Sequence, residues 1–110
     1  MTSRQKRSGK KRRKYFRDVN QTDDFLKQWD RLEESGQHDM QRLKEAMMLL
    51  AANNEPLSPE WKDHALTGKF EGCRECHVKG DLLLIYRIKQ EAKIEVLVFL
   101  KTGTHSELFG

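Results

Sequence analysis

Long apolar runs are missing from this sequence. Its longest uncharged apolar stretch, residues 46–52, is far short of the roughly 20 residues a helix needs to cross a bilayer, so no transmembrane segment is expected. Nor do the first residues hold an apolar core of the roughly 7–15 residues that a secretory signal requires. With Met1 alone apolar before Tyr15, an amphipathic transit helix is not expected either. The protein is therefore expected to stay in the cytoplasm. Cysteine is scarce too, and a reducing compartment keeps Cys73 and Cys76 as thiols, so no structural disulfide is expected. A length of 110 residues fits one domain and leaves no room for a second. At that size ~65% of the unfolded chain's surface is buried on folding, and a hydrophobic share of 36% can just supply the core.

Charge is unevenly spread. Residues 1–18 carry nine Lys or Arg (Arg4, Lys6, Arg7, Lys10, Lys11, Arg12, Arg13, Lys14, Arg17) against one acid, a net of +8, whereas 12 basic and 16 acidic residues leave 19–110 at −4. The overall +4 therefore belongs to a tail. Residues 1–13 add Gly, Ser and Gln to mostly like charges, a composition that buries too little apolar surface to offset its ordering entropy. They are read as a basic disordered arm ahead of a domain over 14–110. Such an arm is either a solvated, self-repelling tail or an electrostatic handle for phosphates.

Tyr15, Phe16 and Val19 suggest a short strand over 14–20. Thr22 can cap a helix whose first turn holds Asp23 and Asp24 at the positive end of the dipole. Phe25, Trp29 and Leu32 fall at i, i+4 and i+7, Leu26 widens the stripe, and Gly36 is placed for a left-handed stop. A second helix carries Met40, Leu43, Met47 and Leu50 on one face and ends at Asn53, Asn54 and Pro56. The short link predicts an antiparallel helical hairpin packed on a sheet. Residues 55–72 read as a long loop, of the kind that is often functional. Beyond it, 73–78, 82–88 and 94–100 are strand-like, with hairpin turns at 79–80 and 89–92. The predicted class is α+β: a strand, two helices, then a three-stranded antiparallel meander, with the helices on one face.

Cys73-Arg74-Glu75-Cys76-His77 has the spacing used to attach c-type haem. That attachment needs export and a looped or helical segment, whereas this one leads into a hairpin. Structural zinc needs four ligands, no second Cys pair exists, and residues three apart on a strand point to opposite faces. Neither metal nor haem is expected. The histidines are His38, His64, His77 and His105. His38 sits beside a helix start and suits capping or solvent. A sheet folded in the predicted order could bring His64, His77, Asp81 and His105 to one end, where imidazoles and a carboxylate suit acid and base chemistry near neutral pH.

Four segments carry a family resemblance: residues 61–68 (Trp61-Lys62-Asp63-His64-Ala65-Leu66-Thr67-Gly68), 73–78, 81–87, and the ending Lys101-Thr102-Gly103-Thr104-His105-Ser106-Glu107-Leu108-Phe109-Gly110. Together they resemble the YafQ branch of the RelE-like toxins (RelE/ParE superfamily) of bacterial type II toxin-antitoxin systems, over about residues 14–110. The last segment is the most specific. The resemblance implies a twisted four-stranded antiparallel sheet carrying a helical hairpin. It also implies a bacterial, ribosome-dependent endoribonuclease, an mRNA interferase, whose active site is His64, His77, Asp81 and His105 with Phe109 nearby. A cognate antitoxin would neutralise it, and operator DNA would be bound only through the antitoxin complex. The chain departs from the family pattern at Leu82, where an aromatic often follows the aspartate, and at Cys73 and Cys76, where Tyr and a small residue are common. Those changes bear on base stacking and codon preference more than on the chemistry.

RNA can be cleaved without metal or other cofactor by attack of the 2′-hydroxyl on the adjacent phosphate, which needs a base, an acid for the leaving 5′-oxygen, and positive charge on the phosphorane. Asp81 or His64 is the expected base and His105 the acid, with His77 and Arg87 holding the phosphate. Arg87, Phe109 and Lys101 are the expected substrate-binding residues. Two other readings stand beside this one: a non-catalytic RNA- or protein-binding module using the basic arm, and a small metal or redox protein using Cys73, Cys76 and His77.

Overall fold

A computed structural model describes residues 17–52 and 56–110 of the chain. Strand β1 (Asp18–Gln21) leads into helices α1 (Asp23–Ser35) and α2 (Met40–Ala52). Strands β2 (His64–Ala65), β3 (Arg74–Lys79), β4 (Leu82–Glu91) and β5 (Ile94–Thr104) follow, and a short helix α3 (His105–Phe109) closes the chain. The sheet order is β1-β5-β4-β3-β2, with β1 parallel to β5 and every other pair antiparallel.

The helices form for the reasons the sequence suggests. Thr22 Oγ1 accepts the Phe25 N–H at 3.0 Å, and Gly36 ends α1 at φ 68°. Asp39 Oδ1 accepts the Arg42 N–H at 2.9 Å at the start of α2. Phe25, Leu32, Leu43, Ala46 and Leu50 are buried against Cys76, Val78, Leu82, Leu84, Tyr86, Leu97 and Phe99 of the sheet. The Phe25 and Phe99 rings stack at 5.6 Å. Burying each large side chain of this set contributes roughly 1.5–3 kcal/mol. The opposite face holds Leu83 and Ile85, both buried, beside Glu75 and His77.

Four expectations are corrected. Among the described residues the sheet has five strands, not four, because His64–Ala65 pair with β3 from within the stretch expected to be a loop, and it is mixed, not all antiparallel, because β1 runs parallel to β5. That stretch also holds two single 3₁₀ turns, at Pro59–Trp61 and Gly68–Phe70. Among the described residues the first strand begins at Asp18, and Arg17 instead donates its backbone N–H to Ala51 and its guanidinium to the Leu50 carbonyl and Glu95. The second hairpin turn falls at residues 92–93, because backbone pairing of β4 with β5 persists through the polar residues as far as Glu91 opposite Ile94. Tyr15, Phe16, the arm over 1–13, and Asn53 and Asn54 lie outside the described residues.

Candidate active site

Glu75 and His77 are two apart on β3, so they share a face of the sheet, and the register sets His64 of β2 directly opposite Glu75. The Glu75 side chain is 7% exposed, with Oε1 3.3 Å from His64 Nε2 and 3.5 Å from His77 Nε2. The two imidazole rings are 5.9 Å apart. His64 Nδ1 lies 2.8 Å from the Lys62 carbonyl, which can only accept, so that nitrogen carries a hydrogen.

The segment before His64 is firmly held. Trp61 is buried, and Lys62 turns the chain through a left-handed conformation, φ 50°. The Asp63 carboxylate, 11% exposed, accepts from Arg74 Nε at 2.9 Å and from the Tyr86 hydroxyl. Burial first, and then that bond to Asp63, push the Tyr86 phenol above its ordinary range.

A second pair forms where β4 begins and β5 ends. The His105 N–H donates to the Asp81 carbonyl at 3.1 Å, flanking the paired Leu82 and Thr104. Thr104 caps α3 reciprocally with Glu107, which fixes the backbone of His105. The His105 ring lies 5.0 Å from Phe109, and Phe70 meets Phe109 edge-on at 5.5 Å. His77 pairs with Leu83, and Leu83 with Gly103, so the register carries both pairs to one end of the sheet. Among the described residues no hydrogen bond joins His105 directly to His64 or His77.

Residues 17–110 match the family model for the bacterial toxin of type II toxin-antitoxin systems, YafQ. The chain belongs to that family. A protein described as mRNA interferase toxin YafQ, from Escherichia coli strain K12, is 44% identical over 72 residues, which is 66% of this chain and 74% of that protein. The crystal structure of the E. coli DinJ-YafQ complex aligns with a TM-score of 0.73 at 38% identity, covering 86% of this chain and 99% of that one. A metal-bound toxin from Helicobacter pylori aligns with a TM-score of 0.72 at 38% identity, covering 84% and 98%.

As a YafQ-family toxin, the chain places its expected residues unequally. His64 and His77 meet at Glu75, one backbone hydrogen bond joins His105 to Asp81, and the Phe109 ring lies 5.0 Å from that of His105. Lys101 Nζ is paired with Asp24 of α1 at 2.9 Å. Arg87 is exposed on the face of Leu83 and Ile85, two residues beyond the row that holds Glu75. Sequence reading missed Glu75, although its spacing from His77 on a strand was the available signal. It also missed Phe70 and the Asp63 clamp, which depend on how the 55–72 stretch folds. The cysteines are free, and burial pushes the Cys76 thiol up to about 12, so it offers no thiolate near neutral pH. The group that could hold a metal is different: ligand atoms of His64, Glu75 and His77 lie within 4.8 Å of one another, a donor set suited to zinc or copper.

Proposed function

We propose that this chain is a ribosome-dependent mRNA interferase that acts in the bacterial cytoplasm and cleaves RNA by 2′-hydroxyl attack, with no step routed through a metal. Membership of the YafQ toxin family supports the class of activity, and so does the relative described as an mRNA interferase. The observation that carries the mechanism is the buried Glu75 carboxylate between two imidazoles, at the end of the sheet that also holds Asp81 and His105.

The geometry supports a division of roles. Both His64 nitrogens are engaged, by the Lys62 carbonyl and Glu75, so His64 is poorly placed to take up a proton. Asp81 is exposed and its carboxylate has no hydrogen-bond partner among the described residues, which makes it the better base for the 2′-hydroxyl. His64 and His77, held on Glu75, stabilise the phosphorane, and Arg87 lends positive charge from the same face. His105 donates its proton to the leaving 5′-oxygen, while Phe109 offers a stacking surface to a base. The products are a 2′,3′-cyclic phosphate and a 5′-hydroxyl.

A cognate antitoxin is the expected partner, by analogy with the DinJ-YafQ complex, and operator DNA would be reached only through it. End-group analysis of the cut message tests the chemistry. A 2′,3′-cyclic phosphate, with a fall of about 100- to 10,000-fold in rate for Asp81→Asn or His105→Ala, supports these roles. A 3′-hydroxyl product would require a different mechanism.

A further inference from the structure

Beside the catalytic cluster lies a groove of about 510 Å³ between the start of α2 and the β3–β4 turn. His77 lines both, facing Glu75 on one side and the groove on the other. Three cations, Arg42, Lys62 and Lys79, line it with two carboxylates, Asp39 and Glu60. We propose that this groove binds a phosphodiester of the RNA strand flanking the scissile one, with the Arg42 guanidinium as its principal donor. The inference rests on the nuclease reading above.

Arg42 is pre-set for such a role. Its Nε donates to the Val78 carbonyl at 3.0 Å, and its guanidinium lies 3.8 Å over the buried Trp61 ring, so its plane is fixed. Its outer nitrogens make only long ion pairs, Nη1 with Glu45 at 3.6 Å and Nη2 with Glu60 at 3.8 Å, and no hydrogen bond. A planar fork held in place, its outer donors in loose pairs with exposed carboxylates, matches a phosphate's paired oxygens. The carboxylates do not close the groove to an anion. Asp39 is already engaged, accepting the Arg42 backbone N–H at 2.9 Å and facing Lys79 Nζ at 3.4 Å. Glu60, its side chain 63% exposed and held only by the Ser58 hydroxyl at 3.2 Å and the long pair to Arg42, stands where the phosphate would approach and can swing out. Lys62, exposed and without an ion pair among the described residues, supplies the second cation.

Single-turnover cleavage of a defined message on translating ribosomes separates affinity from chemistry. Arg42→Lys, which keeps the charge but removes the fork, and Lys62→Ala should raise the half-saturating enzyme concentration several-fold, more than they lower the limiting rate. Each phosphate left without its cation should flatten the salt dependence by about 0.7. Glu60→Gln should lower the half-saturating concentration, a gain that a purely structural role for these residues does not produce. A cutting wild type whose half-saturation is unmoved by all three changes would overturn the groove's role alone. So would variants that weaken only antitoxin binding, which would reassign the groove to an acidic protein segment. A wild type that cuts nothing would overturn the nuclease reading, and the groove's role with it.

Discussion

Removing the Tyr86 hydroxyl tests whether the Asp63 clamp holds the catalytic segment. Tyr86 is buried on β4 and donates to a carboxylate that is 11% exposed and also bound to Arg74, one residue before His64. Tyr86→Phe keeps the ring and its packing and deletes one hydrogen bond to a charged group, a destabilisation of about 1.5–3 kcal/mol. For a domain of this size each kcal/mol lowers the melting temperature by about 4–8 °C, so a fall of roughly 6–24 °C is expected in thermal denaturation. Below that transition, loosening of Asp63 displaces His64 from Glu75, and a misplacement of about 1 Å can cost about 100-fold in single-turnover cleavage. The buried phenol, bonded to Asp63, has a pH signature. The folded-state pKa of Tyr86 is raised, so unfolded chains release the phenolic proton more readily, and the stability due to this group falls as pH rises above about 10. Phenolate absorbance should then show Tyr86 resisting ionisation until the protein unfolds. Unchanged melting and cleavage in Tyr86→Phe would refute the clamp.

Three further outcomes are expected. Iodoacetamide at pH 8 should modify half-buried Cys73 and spare Cys76 until denaturant is added, as peptide mass mapping would show; rapid labelling of native Cys76 would contradict its burial and its thiol pKa of about 12. Added zinc should inhibit cleavage and chelator restore it, because an ion at His64, Glu75 and His77 withdraws the imidazoles from the phosphate; stimulation by zinc would argue for a metal-dependent step. Deleting residues 1–13 should flatten the salt dependence of ribosome binding by roughly 0.7–0.9 for every phosphate the arm neutralises, and an unchanged slope would make the arm a passive tail.

Much of this architecture is legible in local signals. Thr22, Gly36 and the Phe25-Trp29-Leu32 stripe mark α1 because capping and helical periodicity act within a few residues. The meander follows from apolar runs separated by turn residues. What stays hidden depends on long-range pairing. Strand β2 is two residues long and exists only because the Asp63 clamp and the buried Trp61 bring His64 to the edge of β3. Glu75 reads as one more surface acid in a charged sequence until β2 covers it. Lys101 looks like a free cation beside a catalytic motif, and only the packing of α1 shows that Asp24 holds it. The convergence of His64 with His77, and of Asp81 with His105, follows from strand order, which composition and spacing suggest but do not fix.

The central claim meets its most direct test in primer-extension mapping of a defined message incubated with the purified protein, with and without translating bacterial ribosomes, alongside His105→Ala. The account predicts discrete cuts only when ribosomes are present, and none with the variant. Cutting by His105→Ala at the wild-type rate, or an intact message in every lane from a folded protein, would contradict it.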